Sequence, residues 1–315
     1  MRESFLVLTF LGLITVFQSP ASAEDSSCLH RTLPLNVKYS GGLMVEGLRA
    51  EDLQTKSRAG VKILSIAPDD RPHRIVILLD ASESQRARWR DALASAASLA
   101  ETRLPNTEMA LLVFNDQIRD QVDFSQAQSA ITAHLRELRS NTAVSRQLVS
   151  GKTALYDALL VGLKLLHTPT SADSFYVVSD GGDTASRVHL DQIAQQLAFS
   201  GVRVFVGLAE STNSRSLTPE EADGVTSISN LARKTGGEVA TLEPVDPANA
   251  KEVERVSSAM HVFFQGMAQN YRAELELPVR LDKPSRWELK LSRLGKERWK
   301  NAKVNYPTEL EACKP

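Results

Sequence analysis

The sequence predicts an α/β fold with a doubly wound, mostly parallel, Rossmann-like sheet, and a small antiparallel β module built from the two chain ends. Continuous aliphatic and β-branched runs recur along the middle of the chain, and stretches of helical periodicity separate them. Strands that alternate with helices imply right-handed crossovers and a sheet covered on both faces. Alternation of apolar and polar residues near the chain ends predicts the antiparallel module.

Length and composition are those of a globular protein. The chain has 315 residues, of which 42% are hydrophobic and 24% charged, so a disordered chain or a coiled coil is excluded as the starting class. Lys plus Arg number 37 against 38 Asp plus Glu, so the charge balance does not support nucleic-acid or anionic-membrane binding. Two cysteines are too few for a disulfide-dense scaffold or a Cys₄ zinc site.

Residues 1–23 have the pattern of an export signal. Arg2 precedes the apolar run Phe5–Phe17, and Ala21–Ala23 is an A-x-A cleavage site. The run is too short to cross roughly 30 Å of hydrocarbon as a helix, so cleavage is expected rather than a membrane anchor. We therefore expect a secreted or periplasmic protein, with no membrane span after signal cleavage.

The two cysteines lie close to the two ends of the expected mature chain. In an exported protein, Cys28 and Cys313 would meet oxidising conditions, and domain termini often lie near one another. A disulfide between them is expected. Two unrelated free thiols are the alternative.

The chain is expected to divide into a leader and three structural segments. A proline-containing stretch, Pro68–Pro72, marks one boundary because prolines punctuate linkers and turns. The expected units are a signal peptide (1–23), an N-terminal β segment (24–70), an α/β domain (71–270) and a C-terminal β segment (271–315). In the N-terminal segment, short strands are expected at 33–38, 42–45 and 61–66.

The α/β segment contains the buried strands and the helices between them. Strands are expected at 75–79, 109–114, 175–178, 202–206 and, more weakly, 238–242. Helical faces are expected around Trp89–Ala100, Ala127–Leu138 and Leu190–Leu197. Ala154–Leu166 is apolar on nearly all sides, so that helix should be central.

The last helix of this segment carries an apolar stripe, at Val253, Val256, Met260, Phe263 and Met267. An ordinary core face is expected there rather than a dimer seam, because two heptads are too few for a coiled coil. Beyond it, alternation over 271–277 and 287–291, with a further strand at 303–306, completes the antiparallel module.

Oxygen-bearing side chains follow two of the predicted strands and precede the central helix. Asp80–Ser84 follows the first core strand, Gly151–Thr153 opens the helix, and Ser179–Asp183 follows a later strand. In open α/β sheets, ligands bind outside the carboxyl ends of the strands. Carboxylates and hydroxyls are hard donors that suit Mg²⁺, Ca²⁺ or Mn²⁺.

These residues resemble the von Willebrand factor type A domain and its metal-ion-dependent adhesion site. That pattern is a D-x-S-x-S loop, a distant threonine and a distant aspartate, and this chain has all of its positions: Asp80, Ser82, Ser84, Thr153 and Asp180. The resemblance covers roughly Arg71 to Asn270. The layout is also similar to exported bacterial proteins that carry a type A-related domain between short β segments.

The resemblance implies a non-enzymatic protein-binding module for adhesion or scaffolding. A divalent cation, Mg²⁺ or alternatively Mn²⁺ or Ca²⁺, would be held directly by Ser82 and Ser84. Thr153 would bind it directly or through water. Asp80 and Asp180 would mostly not contact the cation but would lie next to the residues or waters that do. An Asp or Glu from a protein partner would complete the coordination. No catalytic residue and no organic cofactor are expected.

Glu83 departs from the family pattern, which usually has glycine between the two serines. Its carboxylate could project into solvent, fill the open position of the cation or repel an acidic partner. Because the middle positions of the loop alternate with the serines, we expect Glu83 to point away from the metal. Arg86 and Arg88 are candidate partners for it.

Other readings of the same residues predict different chemistry. Asp80 and the serines could merely cap the following helix in a structural type A domain without metal. Asp80 could also be the nucleophile of a metal-dependent phosphohydrolase, but Ser82 stands where that enzyme class has an acidic proton donor. Gly151–Thr153 imitates the end of a phosphate-binding loop, although Arg146 occupies the position of its first glycine.

Overall fold

The structure, a computed structural model, describes residues 28–40, 42–57, 60–209, 219–246 and 248–313. The predicted export signal lies outside the described residues. Among the helices within these ranges, none combines the length and apolar character needed to cross a membrane.

The described elements alternate as expected for an α/β core with β segments at both ends. The strands, numbered in chain order, are β1 (His30–Lys38), β2 (Leu53–Ser57), β3 (Lys62–Pro68), β4 (His73–Asp80), β5 (Thr107–Phe114), β6 (Ile118–Val122), β7 (Ser174–Ser179), β8 (Arg203–Leu208), β9 (Val239–Thr241), β10 (Tyr271–Glu276), β11 (Ser285–Leu291), β12 (Lys303–Asn305) and β13 (Glu309–Leu310). The helices are α1 (Trp89–Glu101), α2 (Gln128–Ser140), α3 (Thr142–Leu148), α4 (Leu155–Leu165), α5 (Leu190–Ser200), α6 (Pro219–Thr235), α7 (Ala250–Ala268) and α8 (Arg293–Arg298).

The central sheet has the strand order β6-β5-β4-β7-β8-β9. All neighbours are parallel except β5 and β6, which pair antiparallel. β4 lies in the middle, and Ile75 to Leu79 have no solvent exposure, as a continuous apolar run in a sheet covered on both faces requires. The predicted α/β class with a mostly parallel sheet is confirmed.

Helices cover the two faces of this sheet and form two separate cores. α1, α2 and α7 pack on the face that includes Ile75 and Ile77, whereas α4, α5 and α6 pack on the face that includes Val76 and Leu78. Successive β4 side chains therefore enter opposite cores, which explains why the strand has no polar alternation.

The chain ends form antiparallel sheets with the orders β12-β1-β10-β3 and β13-β11-β2. Their shared core includes Leu35, Leu275 and Trp287. The prediction of a strand at 42–45 is wrong, because only an isolated bridge joins Lys38 and Met44 there. Gly42 has a φ of 86°, and its backbone N–H donates to the Tyr39 carbonyl in a turn, so this segment cannot extend a ladder.

A fully buried arginine joins the central sheet to the end of α7. The Arg203 guanidinium, at the start of β8, donates hydrogen bonds to the carbonyls of Gly266 (2.9 Å) and Met267 (2.6 Å) at the end of α7. It also donates to Asn270 Oδ1 over 3.2 Å. The Asn36 side-chain amide, on β1, donates to the same Gly266 carbonyl. The end of α7 is thus held from both sides.

The predicted disulfide is present. Cys28 and Cys313 are bonded, with their Cα atoms 5.6 Å apart. The Arg31 side chain lies beside the bond and donates hydrogen bonds to the carbonyls of Cys28 (2.9 Å) and Glu311 (3.2 Å). The two ends of the described chain are therefore covalently joined.

Candidate metal centre

Three loops meet at the carboxyl edge of the central sheet and bring the predicted site residues together. Backbone hydrogen bonds connect the first two loops: Glu83 N–H donates to the Gly151 carbonyl over 3.1 Å, and Ser150 N–H donates to the Ala81 carbonyl over 3.0 Å. The third loop follows β7, which pairs with β4 in parallel. Asp80 and Asp180 therefore lie at the same edge of the sheet, as the sequence predicts, and the two strands that they follow are adjacent.

Asp80 is fully buried, and both of its carboxylate oxygens are bonded. Oδ1 accepts a hydrogen bond from Ser82 N–H over 2.9 Å, and Oδ2 accepts one from the Ser179 hydroxyl over 2.7 Å. Burial and the nearby charge of Asp180 raise the pKa of Asp80 to about 7, against the opposing effect of these hydrogen bonds. Asp80 thus orients the loop through the Ser82 backbone, and its negative charge has no positive group beside it among the described residues to balance it.

The two serine hydroxyls lie side by side in the loop that Asp80 holds. Ser82 Oγ and Ser84 Oγ are 3.1 Å apart. Ser82 is buried while Ser84 is exposed, so the pair extends from the loop interior to the surface. Two adjacent hydroxyl oxygens at a solvent boundary can bind a cation that also contacts an outside ligand.

Thr153 is buried at the start of α4 and is held by the loop after β7. Its backbone N–H donates to Thr184 Oγ1 over 3.2 Å, and its carbonyl accepts from Thr184 N–H over 2.8 Å. Thr184 had no role in the sequence prediction. Its contribution arises from a loop-to-loop contact that no local motif indicates.

Asp180 is half-buried, and its loop requires glycine. Its Oδ1 accepts a hydrogen bond from Gly182 N–H over 3.1 Å. Gly181 has a φ of 87°, and a Cβ there would lie 2.9 Å from the Gly224 carbonyl oxygen of α6. The loop therefore passes close to α6, which holds Asp180 at the sheet edge.

Glu83 lies at the outer surface of the loop. Its side chain is 59% exposed, and its Oε2 accepts a hydrogen bond from Arg86 over 2.6 Å. Arg86 also donates to the Val149 carbonyl over 3.2 Å. Arg88, the other candidate partner, pairs with Asp91 instead. The Glu83 carboxylate thus has a cationic partner of its own.

The donor set fits a hard divalent cation. Carboxylates and hydroxyls are the oxygen ligands that Mg²⁺, Mn²⁺ and Ca²⁺ prefer. No arginine or lysine in the described ranges forms an ion pair with Asp80 or Asp180, so their charge lacks a protein counterion. The same ranges contain no group of three His, Cys, Asp or Glu side chains suited to a metal. Ser and Thr hydroxyls would therefore have to supply much of the coordination.

Residues 75–182 match the family model of the von Willebrand factor type A domain. The matched range contains every predicted metal donor, at Asp80, Ser82, Ser84, Thr153 and Asp180. No curated protein matches the chain in sequence.

Solved structures resemble the chain only remotely. An aerotolerance-related membrane protein of Bacteroides fragilis is 15% identical, with a TM-score of 0.40 over 60% of this chain and 98% of that one. The conserved hypothetical protein BatB of Bacteroides thetaiotaomicron is 17% identical, with a TM-score of 0.39 over 60% and 98% of the two chains. A von Willebrand factor type A protein of Catenulispora acidiphila is 13% identical, with a TM-score of 0.42 over 85% and 74%. Likeness at this level says nothing about function.

Proposed function

We propose that this chain, whose residues 75–182 belong to the von Willebrand factor type A family, is an exported protein-binding module that uses a divalent cation to hold an acidic residue of a partner. The observation that carries the proposal is the pair of hydroxyl oxygens of Ser82 and Ser84, which lie 3.1 Å apart in the loop whose Ser82 N–H donates to the buried Asp80. Mg²⁺ is the proposed cation, with Mn²⁺ or Ca²⁺ as alternatives.

Each site residue has a distinct part in this function. Ser82 and Ser84 would bind the cation directly, and Thr153 would add a hydroxyl from the neighbouring loop. Asp80 holds the backbone of Ser82, and with Asp180 it supplies the negative charge that favours a cation. When bound, the cation supplies an electrophilic centre for a carboxylate oxygen from outside. The resemblance of residues 75–182 to the von Willebrand factor type A domain is what implies a protein partner.

The burial of Asp80 favours binding over phosphohydrolysis. A carboxylate nucleophile must reach the phosphorus atom of its substrate. Asp80 has no solvent exposure, and both of its oxygens already accept hydrogen bonds from Ser82 and Ser179. Ser84, by contrast, is exposed and available to a ligand.

The disulfide supports the proposed export. Disulfides persist in secreted and periplasmic proteins and are rare in the cytosol. A bond between Cys28 and Cys313 agrees with the leader pattern over 1–23. We place the functional protein outside the cytoplasm, in the periplasm or beyond the cell.

Calorimetric titration with Mg²⁺ and Mn²⁺ tests the cation. Wild-type protein should bind one ion per chain, and Ser82→Ala combined with Ser84→Ala should lose that binding. Ser140→Ala, an exposed serine at the end of α2, is the control and should bind normally. Absence of binding by folded wild-type protein at millimolar metal contradicts the proposal.

Recovery of a binding partner and a phosphatase assay separate recognition from catalysis. With Mg²⁺, the wild-type chain should retain an envelope protein. Chelator should release that protein, and the double serine variant should not retain it. Turnover of p-nitrophenyl phosphate that requires Mg²⁺ and disappears in Asp80→Asn would support the enzyme instead.

A further inference from the structure

A cleft of about 580 Å³ opens between α1 and α7, beside the end of β9. It contains none of the metal-centre donors. Its apolar lining comes from α1, α7 and the residues after β9, and includes Ala94, Val253, Val256, Met260 and Leu242. Its volume is in the range of roughly 300–1,000 Å³ typical of small-ligand sites.

The apolar stripe of α7 leaves the core halfway along the helix and enters this cleft. Phe263 and Met267 are buried against the central sheet, as expected of a core face. Val253 is 40% exposed, and Val256 and Met260 are only half-buried. From Val253 to Met260 the helix rises about 10 Å. The sequence pattern is therefore only partly explained by the protein's own core, and the exposed part can pack against a ligand.

The unpaired charges around the cleft are positive. Arg90 of α1 and Arg139 of α2 line it, both are exposed, and neither has an ion pair or hydrogen bond with any residue that the structure describes. The acidic lining residues already have partners: Asp91 pairs with Arg88 over 3.0 Å, and Glu243 pairs with Arg255 over 3.2 Å.

We propose that this cleft binds a small amphiphile with an aliphatic chain and a carboxylate head, such as a medium-chain fatty acid. The chain packs along the α7 stripe, and the carboxylate accepts charge-assisted hydrogen bonds from Arg90 or Arg139, whose planar guanidinium groups match carboxylate geometry. A neutral amphiphile of equal length gains only the apolar contacts. This site is independent of the metal centre.

Calorimetric titration of the full chain with decanoate tests the proposal. The experiment contains chelator, so the result does not depend on a metal, and decanoate is kept below the concentration at which it aggregates. The wild-type chain should bind decanoate at least tenfold more tightly than 1-decanol. Arg90→Gln combined with Arg139→Gln should remove this preference. Arg136→Gln, an exposed arginine one turn earlier on α2 and outside the cleft, should retain it.

A second variant tests the cleft itself. Ala94→Trp places a large ring in the opening and should abolish decanoate binding while the unfolding midpoint stays near that of the wild type. Equal affinity for decanoate and 1-decanol overturns the proposal. So does an unchanged preference in the double arginine variant, or undiminished binding by folded Ala94→Trp.

Discussion

Ser179 Oγ donates a hydrogen bond to Asp80 Oδ2 over 2.7 Å, and so joins the ends of the adjacent strands β7 and β4 at the proposed metal centre. Ser179 Oγ also accepts a hydrogen bond from Gly181 N–H over 3.1 Å, which fixes the start of the loop that carries Asp180. One buried hydroxyl therefore positions both carboxylates of the site. Ser179 is not one of the expected metal donors, and it would affect a cation only through the positions of Asp80 and Asp180.

We expect Ser179→Ala to destabilise the chain and weaken cation binding. The substitution leaves Asp80 Oδ2 buried without its partner, which costs about 1–3 kcal/mol. Ser174, on the same strand, is the matched control, because its buried hydroxyl has no hydrogen-bond partner among the described residues. Ser174→Ala should change the free energy of unfolding little or increase it. Denaturant unfolding and Mg²⁺ calorimetry of both variants check this, and equal effects would contradict it.

Cation binding should raise the thermal unfolding midpoint. Only the folded chain brings the three donor loops together, so a bound ion adds about 2.7 kcal/mol at a concentration 100-fold above Kd. We expect Mg²⁺ or Mn²⁺ to raise the midpoint of the wild type, and Asp80→Ala or Ser82→Ala to abolish the rise. Thermal scans with and without millimolar metal provide the measurement. An unchanged wild-type midpoint would count against the metal centre.

Reduction of the disulfide should destabilise the fold while leaving the proposed metal donors in place. The bond joins residues separated by 285 positions, and on the chain-entropy model it stabilises by at most about 6 kcal/mol. Intact mass after alkylation, before and after reduction, should show two labelled thiols only in the reduced sample. Cys28→Ser combined with Cys313→Ser should unfold at lower denaturant. Two labels on unreduced protein would refute the bond in solution.

Arg203 should be needed for stability. Arg203→Met removes the hydrogen bonds to the carbonyls of Gly266 and Met267. The Gly266 carbonyl keeps the Asn36 amide as a donor, whereas the Met267 carbonyl loses the guanidinium, and a buried acceptor left without its donor costs about 1–3 kcal/mol. Arg272→Met, on the half-exposed side of β10, is the control and should cost under about 1 kcal/mol. Urea unfolding of the two variants measures the difference. Equal stabilities would show that Arg203 does not hold α7 as inferred.

The position of the candidate metal donors at one edge of the sheet could be predicted because each is tied to a local pattern, a strand end or a helix start. Ser179 and Thr184 could not, because their roles depend on contacts between loops distant in sequence. β6 was missed because its short run mixes Ile118 and Val122 with charged residues, as an antiparallel edge strand does. The prediction of a strand at 42–45 was wrong because Gly42 has a positive φ, and an apolar sequence pattern carries no information on that angle.

Glu83→Gly should leave metal affinity nearly unchanged. The Glu83 side chain is 59% exposed and ion-paired with Arg86 over 2.6 Å, so its carboxylate is directed to a cation other than the metal. An exposed ion pair of this kind contributes about 0–1 kcal/mol, so the fold should also tolerate its loss. Calorimetry should give a Kd for Mg²⁺ within about threefold of the wild type, a difference of under about 1 kcal/mol. Ser84→Ala, next in the chain, is the control and should lose binding. A loss of tenfold or more in Glu83→Gly would identify Glu83 as a ligand and close the site to acidic partners, because its carboxylate would then occupy the position reserved for theirs.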